Sequence, residues 1–210
     1  TNTVILAVGA LALQFAVSAT AAFALSKLRP RGHKIVLAMF ISTLMVPPSA
    51  YLIPQYLTVV RVPIVNVRLI NTWWAVWLPQ AVNAFNIFIL KSFFDEIPDD
   101  LVDSGRIDGA SALQIFTRIM IPLSTAVLAV VAIFTVIGQW KDFFWPFLVL
   151  KTSEIQPIMV ALYRFTQQSN PEPMNIIVAG LAIASTPMII VFLLFQRYIL
   201  QGITLTGLKG

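Results

Sequence analysis

Five stretches of the 210-residue chain contain no charged side chain, and each is at least 22 residues long. An α-helix rises about 1.5 Å per residue, so about 20 apolar residues suffice to cross a bilayer. Backbone polar groups must be bonded internally in lipid, which leaves helices or closed barrels, and no stretch alternates with the period of two that barrel strands need. The sequence therefore predicts an all-α polytopic transmembrane bundle with five spans: Thr1–Ser26, Ile35–Val60, Leu69–Leu90, Ile119–Trp140 and Pro173–Gln196.

The amino-acid composition argues against several classes of function. The chain is 58% hydrophobic and 11% charged, whereas soluble proteins have about 25% charged residues. Zero cysteines exclude disulfides and thiolate ligands, and a single histidine cannot build a His-based metal site. The net charge of +5 fits loops that face anionic lipid better than nucleic-acid binding. Enzymatic chemistry and nucleic-acid partners are therefore not expected.

Basic residues indicate the orientation. Four of them crowd the first connection, between 27 and 34, whereas the second connection holds only Arg61 and Arg68. The positive-inside rule places the first connection in the cytoplasm, and the remaining connections then alternate. This assignment places nine Lys and Arg inside (27, 29, 31, 34, 91, 106, 118, 197, 209), four outside (61, 68, 151, 164) and Lys141 at the outer boundary.

The first residues, Thr1-Asn2-Thr3, include no Met and no basic region, so the first run does not resemble a signal peptide. Because this topology starts outside, we expect a further span upstream. Prolines interrupt the second, third and fifth runs, and such breaks are common both along transport paths and in membrane helices generally. We expect one transmembrane domain over 1–210, with a cytoplasmic segment 91–122 and a cytoplasmic tail 197–210.

The segment 91–118 predicts two short helices. Pro98 suits the first helical position, Asp99 and Asp100 complement the helix dipole, and Gly105 and Gly109 are expected to end this helix. Ser111 and Gln114 have the spacing of a capping box, which predicts the start of a second helix.

Six carboxylates and one cation lie between 95 and 108, a local balance of −5: Asp95, Glu96, Asp99, Asp100, Asp103 and Asp108 against Arg106. Such a density suits docking onto a basic partner, although most charge runs are simply solvated.

The same segment resembles the cytoplasmic signature of binding-protein-dependent ABC importer permeases, which is Glu-Ala-Ala, three residues, Gly, nine residues, Ile, one residue and Leu-Pro. The chain has Asp103-Ser104-Gly105, Gly109, Ile119 and Ile121-Pro122 at that spacing. Flanking motifs resemble the carbohydrate-uptake branch, in particular its MalG-like half: Phe93 to Pro98, Arg106 to Ser111, Gln139 to Pro146 and Gln201 to Gly210.

The resemblance implies the ABC importer type I permease fold, with the first of six spans missing here, in a bacterial or archaeal cytoplasmic membrane. It implies a second homologous permease, two cytoplasmic ATPases that carry ATP and Mg, and an extracytoplasmic solute-binding protein. The tail near Gly207 is expected to reach between the ATPases. The residues implied in ATPase coupling are Asp99, Asp100, Asp103, Ser104, Gly105, Arg106, Asp108, Gly109, Ala110, Ser111 and Leu113.

Polar residues inside the spans are the candidate translocation path, because polarity that faces lipid is unfavourable. Gln80, Asn83 and Asn86 are expected on one helix face, beside Trp73, Trp74 and Trp77. These tryptophans fit a sugar path and an interfacial aromatic belt equally well. The other candidates lie near the outer end of the fourth span: Gln139, Trp140, Lys141 and Asp142.

The resulting prediction is a permease subunit for a sugar or oligosaccharide that needs no cofactor of its own, since the chain has no Walker A loop. Two alternatives stay open. One is an ABC permease for another solute, such as a glycerophosphodiester or a polyamine, and the other is a non-transporting membrane scaffold. A proton-coupled carrier is disfavoured because the five runs hold no carboxylate or histidine.

Overall fold

The computed structural model of the chain describes residues 1–63, 65–167 and 173–207, with side chains up to Phe195. All regular elements in these ranges are helical, which confirms the all-α prediction. The backbone of 197–207 continues the last helix, while the side chains of this tail and residues 208–210 lie outside the described part. In chain order the helices are α1 (Asn2–Phe23), α2 (His33–Thr43), α3 (Pro48–Val60), α4 (Trp74–Gln80), α5 (Ala84–Glu96), α6 (Asp99–Ile107), α7 (Ala112–Ile115), α8 (Ile121–Leu123), α9 (Thr125–Lys141), α10 (Phe144–Val149), α11 (Ile158–Thr166) and α12 (Met174–Gly207).

Two of the five apolar runs form single helices long enough to span a membrane. A π-helical turn extends α1 to Leu28, which gives 27 residues, and α12 supplies 22 over Met174–Phe195. The second run is α2 and α3, bent by 101°, and the fourth is the helical stretch Ala112–Leu123 followed by α9, bent by 82°. The third run is divided between α4 and α5. The apolar runs are therefore helical, but three of them are broken.

Prolines lie at or next to these breaks. Pro47 is extended at the 101° bend and Pro48 begins α3, since the helical region is disfavoured for a residue that precedes proline. Pro122 comes just before the second bend, which Ser124 makes with φ −106°. Pro79 lies in α4 close to its end. By contrast, Pro187 lies inside the continuous helix α12.

The central helix is α1, which packs against α4, α5 and α9. The half of α1 that ends at Leu28 contributes to an apolar cluster that we call the inner core. Its buried members are Ala19, Ala22, Phe23, Leu90, Phe94, Ile97, Val102, Ile115, Met120 and Val131. The other half contributes to the outer core, with Leu6, Val59, Ala75, Val76, Trp145, Val149 and Leu150.

Contacts at the two ends of the bundle fit the predicted alternation of connections. Asn2 Nδ2 donates to the carbonyl oxygens of Glu154, at 2.7 Å, and Gln156, at 3.0 Å. At the opposite end the Lys27 ammonium lies 2.5 Å from a carboxylate oxygen of Asp99. We call these the outer and inner ends, after the sides that the basic residues predict.

Candidate functional site

A cavity of about 670 Å³ lies between α1, α3, the end of α4, the start of α5, the end of α9 and the start of α10. This volume is within the range of about 300–1,000 Å³ that is typical of small-molecule sites. Carboxamides and aromatic rings dominate the lining, which consists of Gln14, Pro48, Tyr51, Leu52, Gln55, Pro79, Gln80, Val82, Asn83, Phe85, Asn86, Phe134, Thr135, Gly138, Gln139, Lys141, Asp142, Phe144 and Trp145.

Six of the seven path candidates line this cavity: Gln80, Asn83, Asn86, Gln139, Lys141 and Asp142. The seventh, Trp140, is not part of the lining, and its Nε1 donates to the carbonyl oxygen of Ala184 in α12 at 3.0 Å. Trp140 therefore ties α9 to α12. That these seven candidates take part in translocation stays a prediction.

The expectation that Gln80, Asn83 and Asn86 share one helix face is wrong. Gln80 ends α4, and Asn83 is the extended residue that precedes α5, with φ −124°. The Asn83 side chain accepts a hydrogen bond from the Asn86 backbone N–H at 3.0 Å, so it is the N-cap of α5. The three side chains reach the same cavity because the helix breaks between them.

Three helices meet at Gln14. Its Oε1 accepts hydrogen bonds from Asn86 Nδ2 of α5 and from Thr135 Oγ1 of α9, each at 2.9 Å. All three side chains are buried, and Gln14 lies about halfway along the helix Asn2–Leu28. A neutral network of this kind satisfies polar groups at a depth where a formal charge would be unfavourable.

A second network lies nearer the outer end. Gln80 Nε2 donates to Asp142 Oδ2 at 3.1 Å, and Gln80 Oε1 accepts from Gln139 Nε2. Lys141 is exposed and has no ion-pair partner among the side chains that the structure describes. Lys141 thus places an unpaired positive charge in the described cavity lining.

Sequence reasoning missed Gln14, Gln55 and Thr135 as lining residues. A signal was present for Gln14 and Gln55, because each is a carboxamide inside an otherwise apolar run. The rule that selected Gln80 would have selected them as well. Thr135 carried no such signal, since threonine is common inside membrane helices.

Trp73, Trp74 and Trp77 do not line the cavity. The Trp77 indole lies against Gly9 of α1, and its Nε1 donates to the Leu6 carbonyl oxygen at 3.1 Å. Trp74 packs edge-on against Trp77, with ring centroids 5.3 Å apart. These rings therefore fix α4 on α1.

The predicted coupling segment contains α6 and α7 at the inner end. Asp99 and Asp100 occupy the first turn of α6 as predicted, and Pro98 is its N-cap rather than its first helical residue. The capping box of Ser111 and Gln114 is confirmed, because both reciprocal hydrogen bonds are present. Most of the remaining residues predicted for coupling lie close to the end of α6.

Gly109 ends α6 in a Schellman arrangement. Its φ is +76°, its N–H donates to the Arg106 carbonyl oxygen at 3.0 Å, and the Ala110 N–H donates to the Gly105 carbonyl oxygen at 2.9 Å. The prediction that Gly105 also ends the helix is wrong. Gly105 is buried inside α6, where an added Cβ would lie 3.1 Å from the Ile119 side chain.

Cations pair with three of the six carboxylates in this acidic window, and three of those cations, Lys27, Arg29 and Lys91, lie outside it, so the balance of −5 overstates the local charge. Lys27 and Arg29 pair with Asp99, at 2.5 and 3.3 Å, and Arg106 pairs with Asp103 at 2.8 Å. Lys91 pairs with Asp95. The Lys27 ammonium holds the pKa of the Asp99 carboxyl below its usual range, through a hydrogen bond first and Coulomb attraction second.

Glu96, Asp100 and Asp108 have no ion-pair partner in the described part of the chain. Two large apolar side chains are exposed close to them, Ile107 at 86% and Leu113 at 69%. The tip formed by α6 and α7 therefore combines free carboxylates with exposed apolar surface, a composition that suits a protein interface.

Comparison with known proteins agrees with this architecture. Residues 9–205 match the model of the family "Binding-protein-dependent transport system inner membrane component". The chain is 32% identical to Protein LplC of Bacillus subtilis over 95% of its own length and 70% of the relative. It is 29% identical to the arabinooligosaccharides transport system permease protein AraQ of Halalkalibacterium halodurans, over 100% of this chain and 73% of AraQ.

A solved structure is also similar. It is the crystal structure of a bacterial ABC transporter involved in the import of the acidic polysaccharide alginate, with a TM-score of 0.83 and 26% identity over 94% of this chain and 72% of that one. These matches confirm the resemblance drawn from the signature at 103–122 and the permease fold. The chain belongs to the family of inner membrane components of binding-protein-dependent ABC transport systems.

Proposed function

We propose that the chain forms half of the translocation path of an ATP-driven importer for a sugar or oligosaccharide. The observation that carries this proposal is the cavity, in which carboxamides and aromatic rings face one space of about 670 Å³. Carboxamides donate to and accept from sugar hydroxyls, and aromatic faces pack against sugar rings. Relatives named for arabinooligosaccharide transport and maltodextrin transport support this substrate class.

The partners would be a second homologous permease that completes the path, two cytoplasmic ATPases and an extracytoplasmic solute-binding protein. ATP and Mg would be held by the ATPases, and this chain would carry no cofactor. The tip of α6 and α7 would dock on an ATPase, with Asp103 exchanging Arg106 for a cation of the partner. An exposed ion pair of this kind is worth only about 0–1 kcal/mol, so the exchange is energetically easy.

Closure of the ATPases on ATP would then displace α6 and switch the spans between inward-open and outward-open states. The cavity extends from Gln14, at mid-depth, to Lys141 and Asp142 near the outer end. The inner core fills the space on the cytoplasmic side of Gln14. This arrangement supports a path in which the described chain is open toward the outer end and packed toward the inner end.

The test is reconstitution of the full transporter in proteoliposomes, with the products of the neighbouring genes as partners. We expect ATP hydrolysis that is stimulated by the loaded binding protein, and uptake of one member of a panel of oligosaccharides. The panel should include neutral and acidic members, because Lys141 is a free cation in the lining. Stimulation by a glycerophosphodiester or a polyamine alone would replace the sugar assignment.

A second experiment tests the docking tip. Asp103→Lys and Gly109→Pro should abolish co-purification of the ATPase, because the first reverses a charge at the tip and the second forbids the φ of +76° that ends α6. Glu154→Lys is the matched control, since it reverses an exposed charge at the outer end. If wild type retains no ATPase, the chain is a scaffold rather than a coupled permease.

A further inference from the structure

Side chains at the inner end of α1 form hydrogen bonds with the connection between α5 and α6, which we call the corner. Ser26 Oγ donates to Asp95 Oδ1 at 2.6 Å. Lys27 Nζ donates to the Ile97 carbonyl oxygen at 2.6 Å and to Asp99 Oδ1 at 2.5 Å. These three acceptors come from the end of α5, the connection and the first turn of α6.

Lys27 makes two of these three hydrogen bonds. Its side chain is 1% exposed, whereas that of Asp99 is 53% exposed. A buried ammonium is tolerated only when its donors are satisfied and a counter-charge lies close to it. Lys27 therefore holds the corner in one geometry, while Arg29, half exposed and 3.3 Å from Asp99, contributes less.

The rest of α1 is a stiff connection between this corner and the cavity. The helix is continuous over the 27 residues Asn2–Leu28, and Gln14 lies about 20 Å from Lys27 at 1.5 Å per residue. Gln14 also bonds Asn86 of α5 and Thr135 of α9. A displacement of α1 must therefore reach the part of the lining formed by Gln14, Asn86 and Thr135, which we call the floor of the cavity.

The alternative connection from α6 to the cavity, through α7 and α9, is less direct. Each route contains one π-helical turn, Ala24–Leu28 at the end of α1 and Phe116–Met120 after α7, but only the second route also bends, by 82°, before α9 begins. Bends of this kind absorb movement, because they are the positions where backbone dihedrals change at least cost. Since only Ile97 and Pro98 separate α5 from α6, the geometry favours α1 and α5 moving together with α6, with Lys27 joining α1 to the other two.

We propose that Lys27 is a positioning residue that makes α1 move with the coupling helix α6, so that displacement of α6 by the ATPase reaches the Gln14 network of the cavity through α1. This inference rests on the proposed function, in which α6 docks on the ATPase. Lys27 touches neither substrate nor nucleotide, and it acts through Ile97 and Asp99. Loss of its charge should uncouple hydrolysis from transport without releasing the ATPase.

The experiment compares substrate transported per ATP hydrolysed in the reconstituted transporter. For Lys27→Met we expect the ATPase to co-purify as in wild type and the ratio to fall at least about threefold, within the range for residues that carry coupling. Lys27→Arg should retain most of the ratio. Lys34→Met is the matched control, because Lys34 lies at the same end and is exposed without an ion-pair partner in the described chain.

A wild-type ratio in Lys27→Met would overturn the inference. If that variant does not assemble, Lys27→Gln decides, since it removes the charge and retains an N–H donor on a side chain one bond shorter. Failure of both neutral variants to assemble, with Lys27→Arg intact, would make the role purely structural and also overturn the inference. Absence of substrate-stimulated hydrolysis in wild type would instead refute the proposed function.

Discussion

The floor of the cavity and the inner corner both join α1 to α5, but with different chemistry. At the floor, the Gln14 and Asn86 carboxamides meet at mid-depth, and neither carries a formal charge. At the corner, the Lys27 ammonium meets Asp99 and the Ile97 carbonyl oxygen. Transfer of a charged side chain to the bilayer centre costs about 2.5–3.5 kcal/mol on insertion scales, so charge is confined to the end where water is near.

The packing around the floor also differs from the packing around the corner. The floor lies against open volume, and Phe134 in the cavity lining is 48% exposed. The corner lies against the inner core, in which Phe94 is fully buried. The comparison indicates that the helices are closely packed around the corner, while around the floor they leave open volume in which the lining side chains can move.

The largest expected effect tests this division directly. Phe94→Ala should destabilise the purified chain by about 3 kcal/mol, because it removes a buried ring and leaves a void in the inner core. Phe134→Ala is the matched control and should change stability by well under 1 kcal/mol, since its ring is half exposed. Thermal unfolding in detergent measures both, and equal losses for the two variants would break the comparison.

A smaller effect is expected where α4 packs on α1. An added Cβ at Gly9 would lie 2.2 Å from the Trp77 indole, so Gly9→Ala must displace a stacked ring and should lose about 1–3 kcal/mol. The control is Gly138→Ala in α9, where an added Cβ meets nothing within 4 Å and helix propensity improves. Unfolding of the two variants should shift in opposite directions.

The floor network should contribute less. Gln14→Leu removes the acceptor of two hydrogen bonds between helices, which in membrane proteins average about 0.6 kcal/mol each. Gln55→Leu changes the cavity lining without breaking any side-chain hydrogen bond that the structure describes. We expect a loss of stability only for Gln14→Leu and a weaker apparent affinity in uptake for both. Normal uptake by both variants would show that this cavity is not part of the translocation path.

The smallest effect concerns the corner and pH. Because the pKa of Asp99 is below its usual range, its pairing with Lys27 stabilises the fold above the ordinary carboxyl pKa and is lost as pH falls through the lowered value. The stability difference between wild type and Asp99→Asn should be constant from about pH 5 to 7 and shrink below about pH 4. Asp100→Asn, which removes an unpaired carboxylate, should show no such trend in thermal unfolding.

The sequence predicted local features well, because they depend on neighbours along the chain. The capping box at Ser111 and the turn at Gly109 need only residues three to five positions apart, and both are present. Gly105 was wrongly assigned as a helix end, since a glycine inside a helix and one that ends it have the same local signal. Its packing against Ile119 decides the matter.

Helix breaks were only partly predictable. Prolines predicted interruptions in the second, third and fifth runs, but the prediction is wrong for the fifth, since Pro187 lies within the continuous helix α12. Whether a helix bends there depends on which neighbours accept the freed backbone groups. The prediction that Gln80 and Asn86 share one helix face was wrong for this reason.

Charge-free length and the distribution of basic residues determined that this chain is a helical membrane protein, and one spaced signature identified its transport family. Tertiary structure alone decided which polar groups meet. Gln14 bonds Thr135 across 121 positions of sequence, and Lys27 pairs with Asp99 across 72. Burial then makes these pairings obligatory, because a polar group removed from water must find its partner on another helix.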